Sequence, residues 1–230
     1  NLIGVNEKNI IFTSGATEAN NLALNGFKDI VSSRLEHESI RNHKNIKLVK
    51  IDKNGCINIE DLEKKIKALK SKFSIISVML ANNETGIIQP FEKISMLAKK
   101  YNIFFHTDAV QAVGRIPVDI INIGCDMLTM SSHKLGGPKG AGALVVNNKR
   151  IKLKSMLIGG AQENHFRAGT EALYSIAGFG KAANLVDLKK MTYVLKIRQA
   201  FEYYLQEANI GVKIIGKHSN RLPNTLMMSL

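Results

Sequence analysis

The stretch Phe73–Leu80 reads FSIISVML and is apolar at nearly every position. A strand with one wet face alternates apolar and polar residues. This run does not alternate, so it reads as a strand covered on both faces, as in a parallel sheet flanked by helices. Just before it, INIEDLEKKIKALKSK (57–72) carries apolar residues at helical spacing, with acids early and lysines late, which matches the helix dipole. Just after it, NNETG (82–86) is a loop, and PFEKISMLAKKY (90–101) is a helix with Pro90 near its start. NIFFHTD (102–108) then reads as the next strand. Strand, helix and strand in succession form a βαβ unit, whose two strands run parallel.

The rest of the chain repeats this rhythm. NIIFTSG (9–15) is a strand and ATEANNLALNGF (16–27) a helix; KLVKID (47–52) is strand-like and is followed by an Asn-Gly turn. CDMLTMSSH (125–133) and GALVVN (142–147) are two more strands. The expectation is an α/β fold with a mostly parallel sheet and helices on both faces. Polar residues gather where strands end, at Ser14–Thr17, Asn82–Glu84, His106–Asp108 and Ser131–Lys134. Open α/β sheets bind ligands at the carboxyl ends of their strands, so these clusters are expected to line one pocket. The stretch 170–208 reads as one long amphipathic helical segment, and 213–230 begins a new strand. We therefore divide the chain into a large domain over 1–190 and a bridging helix with the start of a second unit over 191–230.

Composition narrows the class. The chain has 230 residues, 45% hydrophobic and 22% charged, as in globular proteins. No apolar run approaches the ~20 residues that span a bilayer. No secretory leader is visible, and the first residue is not Met, so translation is expected to begin upstream. Two cysteines, Cys56 and Cys125, are too few for a disulfide scaffold and make no metal motif, so a reducing cytoplasm and no metal site are expected. The net charge of +13 is spread as lysines along helix-like segments, which reads as a solvated basic surface rather than a nucleic-acid site.

Each motif has a chemical and a bland reading. SGATEAN (14–20) puts backbone N–H groups at a helix start, either for a phosphate or as an ordinary N-cap. Asp108 in HTDAVQAVG (106–114) could hold a cation or a protonated ring nitrogen, or cap the next segment. Lys134 in SSHKLGGPKGAG precedes glycines that let a ligand approach closely. It becomes a carbonyl-binding nucleophile if burial and His133 lower its pKa, and is otherwise a solvated lysine. His37 in EHESI (36–40) is a lone loop histidine. Neither GxxxxGK[ST] nor GxGxxG is present, so nucleotide binding is not indicated.

Taken in order, SGATE, EHES, NNETG, HTDAVQAVG, SSHK followed by GPKGAGAL, and GGAQENHFRAGT resemble the NifS-like cysteine desulfurases of the class V aminotransferase family. The resemblance runs from about Ile10 to the end of the chain. It implies a pyridoxal-phosphate large domain of aminotransferase type, with a seven-stranded sheet. By that resemblance Lys134 matches the lysine that holds pyridoxal 5'-phosphate as a Schiff base. Asp108 matches the partner of the pyridinium nitrogen, and Gln111 that of the ring hydroxyl. Thr17, Ser131, His133 and backbone near Ala16 would hold the phosphate. His37 would stack on the ring and move protons, and Asn83 would meet the ring hydroxyl and the substrate carboxylate. Thr170 matches a residue that reaches the phosphate of a neighbouring subunit, which implies a homodimer.

The implied reaction converts L-cysteine to L-alanine and an enzyme-bound persulfide, with sulfur passing to an Fe–S scaffold or another acceptor protein. The family's nucleophilic cysteine and carboxylate-binding arginine lie in segments expected beyond Leu230, and an N-terminal segment is expected before Asn1. Cys56 and Cys125 match no such motif and read as structural. The stretches on either side of His37 are shorter than the family pattern. Two other readings therefore stay open: a selenocysteine or cysteine lyase of the same family, and a non-catalytic remnant.

Overall fold

The structure, a computed structural model, describes residues 2–71 and 73–230. Asn1 and Lys72, the last residue of the helix expected over 57–72, lie outside the described residues.

Seven strands form the central sheet: β1 (Ile10–Thr13), β2 (Asp29–Ser33), β3 (Ile46–Val49), β4 (Ser74–Ser77), β5 (Phe104–Asp108), β6 (Met127–Ser131) and β7 (Gly142–Val146). Their order is β1-β7-β6-β5-β4-β2-β3. The ladders from β6 through β5, β4 and β2 to β3 are parallel. β7 alone runs against its neighbours, β1 and β6. The reason is the short, glycine-rich connection after β6. A parallel return needs a crossover of about a dozen residues or more, usually helical, whereas a short turn brings the chain back antiparallel.

FSIISVML behaves as expected of a doubly covered strand. β4 is buried along its whole length. Regular pairing stops at Ser77, but Val78 and Leu80 still donate backbone N–H groups to the carbonyls of His106 and Asp108, at 3.2 and 2.8 Å. The extended chain thus follows β5 to its end.

The helices are α1 (Ala16–Leu24), α2 (Glu38–Arg41), α3 (Ile59–Lys67), α4 (Phe91–Lys100), α5 (Ile120–Ile123), α6 (Leu173–Asn184) and α7 (Leu188–Glu207). The period-2 alternation of the strands sorts the core into two clusters. Val31, Ile76, Phe105 and Leu128 pack with Leu62 and Ile66 of α3 and Ile94 and Ala98 of α4. Their sequence neighbours Ile30, Ile75 and Met127 pack with Ala19, Leu22 and Ala23 of α1. The two clusters lie on opposite faces because successive strand side chains point to opposite sides. α3 starts as its sequence implies: the Asn58 side chain accepts the Asp61 N–H at 2.8 Å, acids fill the first turn and lysines the last.

Two elements differ from the sequence reading. DIVSS forms β2 although only Ile30 and Val31 are apolar in it. Its serines are buried because their hydroxyls find partners; Ser32 Oγ donates to the Ser77 carbonyl at 2.7 Å. The single helix expected over 170–208 is two helices, broken between Asn184 and Leu188. Asp187 sits in the break, where its side chain accepts the Lys189 N–H at 2.9 Å and starts α7 afresh. α7 buries none of its residues and exposes Tyr193, Ile197, Phe201 and Tyr204. After it, a short antiparallel pair joins β8 (Lys213–Ile214) to β9 (Met228–Ser229). Among the described residues no helix is long and apolar enough to cross a membrane.

Candidate active site

The site is built where strands end. β1 runs through Ser14 and Gly15 into α1, and Gly15 provides no side-chain cap. The Ser14 N–H is taken instead by Glu18 Oε2 at 2.7 Å, so the turn is braced from inside the helix. The backbone of β7 presses against this turn. A Cβ on Gly142 would lie 2.4 Å from the Gly15 carbonyl carbon and 2.8 Å from the Ala16 nitrogen, so the contact requires glycine. The first turn of α1, with its polar N–H groups, is thereby held at the cavity wall.

β6 ends in a single 3-10 turn, Ser132–Leu135, which carries Lys134. Gly136 closes the turn at φ 84°, a left-handed conformation open to glycine. The Lys134 carbonyl accepts Arg115 Nη2 at 3.3 Å, and Arg115 Nη1 donates to the Gln111 carbonyl at 2.8 Å. Arg115 therefore ties the turn bearing Lys134 to the one bearing Gln111. Ser131 Oγ and His133 Nδ1 are 3.0 Å apart. Partial burial, then the charges of Lys134 and Lys139, push the His133 pKa below the usual histidine range. The sequence left two readings of Lys134 open, a nucleophile desolvated in a pocket and a solvated lysine. In the chain by itself Lys134 is exposed, although it lines the site cavity.

Asp108, the last residue of β5, is 6% exposed. Its Oδ1 accepts the Val110 N–H at 2.9 Å and its Oδ2 accepts Asn20 Nδ2 at 2.7 Å. Burial raises its pKa; the bonds from Asn20 and Val110 oppose that shift. Beneath it on the same strand, His106 is fully buried between Ser77 Oγ and Thr129 Oγ1, at 2.9 and 3.0 Å, and burial pushes its pKa down to about 3. A neutral histidine there adds no charge under the Asp108 carboxylate.

His37 caps α2: its Nδ1 accepts the Ser39 N–H at 3.1 Å and lies 2.9 Å from Ser39 Oγ. Glu36, its neighbour, is 2% exposed. Glu36 Oε1 accepts the Met79 N–H at 2.9 Å, while Oε2 is buried without a partner among the described residues. Burial, with the charge of Asp108 adding to it, raises the Glu36 pKa well above the usual carboxylate range despite the Met79 bond.

These elements enclose one cavity of about 590 Å³. Ala16, Thr17, His37, Asn83, Asp108, Gln111, Ser131, His133 and Lys134 all line it. The short stretches flanking His37 therefore do not remove it from the site. Thr170 lies elsewhere, exposed beside a cleft of about 100 Å³ formed with Glu163, Arg167 and Ile176. Asn20, Glu36 and Lys139 were not singled out in the sequence. Asn20 and Lys139 line the cavity and Glu36 lies behind Met79, which lines it. The motifs SGATEAN, EHES and GPKGAG contained them; what they touch was not visible there. Cys56 and Cys125 do not line the cavity. Cys125 is buried, and burial, with Asp126 nearby, pushes its thiol far up; burial and then Asp52 raise Cys56. Neither is poised as a thiolate.

An α/β sheet with its polar crevice at the carboxyl ends of parallel strands, and a lysine on the turn after one of them, has the architecture of fold-type I pyridoxal-phosphate enzymes. The aminotransferase class-V profile matches residues 1–229, and the chain belongs to that family. It is 39% identical to the cysteine desulfurase IscS of Dictyoglomus turgidum, over 99% of this chain and 61% of that protein. It is 37% identical to the mitochondrial cysteine desulfurase of Candida maltosa, over 98% of this chain and 46% of that one. Among solved structures, a NifS-like protein from Rickettsia africae superposes with a TM-score of 0.92 at 37% identity, covering 96% of this chain and 63% of that chain. The chain thus spans less than two thirds of the length of these relatives. Cysteine desulfurases of this family depend on pyridoxal phosphate.

Proposed function

We propose that this chain is the cofactor-binding part of a pyridoxal-phosphate-dependent cysteine desulfurase acting on L-cysteine. The observation that carries the reading is the single cavity, which gathers Lys134, Asp108, His37 and the phosphate-type donors from separate strand ends. The donor set fits the cofactor chemically. Hydroxyls of Thr17 and Ser131, the His133 ring and the N-terminus of α1 suit a phosphate. A buried carboxylate suits a pyridinium, and an amine suits an aldehyde.

Bound pyridoxal phosphate supplies an electron sink for charge developing at the substrate α-carbon. Asp108, held by Asn20 and Val110, places negative charge where a ring nitrogen would keep its proton. Lys134 would supply the amine that holds the aldehyde of the cofactor. Gln111 and Asn83 give amide donors for the ring hydroxyl, and Asn83 also meets the substrate carboxylate. His37, which lines the cavity, would face the ring and could exchange a proton at Nε2. Thr170, exposed and outside the lining of this chain's own cavity, serves the phosphate of a second copy in a homodimer. Residues 1–190 act as the large domain, and 191–230 lead into a further unit. In the whole protein a cysteine thiolate other than Cys56 or Cys125 would take the substrate sulfur as a persulfide as its C–S bond breaks and alanine leaves, and would pass it to an Fe–S scaffold or another acceptor protein. The cytoplasm is the compartment that fits two free cysteines.

The test is covalent trapping. The chain is mixed with pyridoxal phosphate, reduced with borohydride and mapped by peptide mass spectrometry. A cofactor-sized adduct on Lys134 is expected, and Lys134→Ala should lose it. A folded sample without the adduct, or an undiminished adduct in the variant, overturns the reading. Alanine release from cysteine against selenocysteine, measured on the full-length protein, separates desulfurase from selenocysteine lyase.

A further inference from the structure

Between Asp108 and His37 runs an unbroken line of hydrogen bonds through Asn20 and Ser39. Asn20 is 1% exposed. One Nδ2 hydrogen goes to Asp108 Oδ2 at 2.7 Å and the other to Ser39 Oγ at 2.9 Å. Ser39 Oγ is 2.9 Å from His37 Nδ1, which also accepts the Ser39 N–H at 3.1 Å.

The direction of every bond in this line follows from chemistry. An ionised carboxylate only accepts, so the Asn20 amide must turn its NH2 toward Asp108; the flipped amide would set Oδ1 against Oδ2. The second Asn20 hydrogen then fills a lone pair of Ser39 Oγ, which leaves the hydroxyl hydrogen free for His37 Nδ1. A backbone N–H can only donate, so Nδ1 receives two donors and carries no proton. The neutral ring must then carry its hydrogen on Nε2, the nitrogen without a protein partner among the described residues.

We propose that Asn20 and Ser39 are positioning residues that transmit the ionisation state of Asp108 to His37 and hold its ring as an Nε2–H donor toward the cavity. Protonation of Asp108 frees the Asn20 amide to flip and accept that proton's hydrogen bond at Oδ1, with Oδ1 now also within reach of Ser39. The Ser39 hydroxyl then turns toward Asn20, and Nδ1 keeps only the backbone donor. The charge that suits a pyridinium and the orientation of the proton-exchanging ring are in this way set together. The proposal rests on the assignment of this cavity as the cofactor site, but its bonds exist in the chain without cofactor.

The experiment is 15N NMR of the histidine rings in the cofactor-free chain, with His37 assigned by its loss in His37→Gln. Wild type should show His37 predominantly as the Nε2–H tautomer at neutral pH. Ser39→Ala should lower the ratio of Nε2–H to Nδ1–H several-fold, and Ser39→Thr should restore it. Asn20→Asp, which keeps the shape of the buried side chain, should lower it as Ser39→Ala does. A predominant Nδ1–H tautomer in wild type, or a ratio unchanged in folded Ser39→Ala, overturns the proposal. With cofactor added, the pH midpoint of its visible absorbance should shift in Asn20→Asp and stay at the wild-type value in Ser39→Thr; an unshifted midpoint in Asn20→Asp counts against the link to Asp108. Failure to bind the cofactor at Lys134 would overturn the functional reading and leave the tautomer result standing.

Discussion

Asn20 Nδ2 donates to Asp108 Oδ2 at 2.7 Å, joining the first helix of the chain to the end of a central strand. The bond stabilises the ionised form of a carboxylate that burial drives the other way. Asn20→Ala should destabilise the fold at neutral pH by about 1–3 kcal/mol, because a buried acceptor loses its donor. In acid, where Asp108 takes up a proton, the penalty should shrink. Urea unfolding at both pH values checks this, and an equal penalty at both would contradict it.

Glu36 carries the opposite liability. Its pKa is raised well above 4.5 in the folded state, so the fold binds that proton more tightly than the unfolded chain does. Stability is then greatest below the ordinary carboxylate range and falls as pH rises from 4.5 through the raised value. Each unit of the shift is worth about 1.4 kcal/mol. Glu36→Gln keeps an acceptor for the Met79 N–H and has nothing to ionise. Its melting temperature should gain on wild type as pH is raised from acid to about pH 8. Parallel curves would show that Glu36 does not hold its proton.

Glu18 and Arg167 pair across a long stretch of chain, with Arg167 Nε 2.8 Å from Glu18 Oε1. Burial pushes the Glu18 carboxyl up, but the bonds from Arg167 and Ser14 outweigh it and leave the pKa below 4.5. A lowered folded value means stability present above 4.5 and lost as pH falls through that value. Glu18→Gln should cost about 1.5–3 kcal/mol at neutral pH and flatten the loss toward acid. Arg167→Ala should also loosen the segment bearing Thr170, read as faster amide exchange there. Unchanged exchange in that variant would mean the segment is held by other contacts.

Gly142→Ala tests how closely β7 approaches the α1 turn. The added Cβ meets backbone rather than a flexible side chain, so the turn must move. A loss of about 1–3 kcal/mol in stability is expected. Binding of inorganic phosphate at the α1 N-terminus should weaken as well, measured by calorimetry. A variant that matches wild type in both would show that the turn can yield without consequence.

Much of this was legible in the sequence. FSIISVML, the acids-then-lysines order of 57–72 and the strand–helix rhythm specify a doubly covered sheet because apolar period and dipole matching are local properties. The motifs also held most of the residues that line the cavity, Thr170 excepted, because ligand sites in such sheets fall at strand ends. β2 was missed because its serines look like a loop until their buried hydroxyls find carbonyl partners. The 170–208 segment looked continuous because its apolar period carries through Asp187, and only the cap geometry breaks it.

What the sequence by itself determined is the set of elements and the chemistry-bearing residues at their ends. What only the tertiary structure decided is which of those residues face one another. Asn20 was not singled out in the sequence and is the buried link between Asp108 and Ser39. The sequence left Lys134 open between a desolvated nucleophile and a solvated lysine, and the fold exposes it, while Thr170 stands apart from the cavity its motif accompanies. The physical reason is range. Periodicity and capping are settled within a few residues, whereas burial, pKa and hydrogen-bond direction depend on groups brought together from distant parts of the chain.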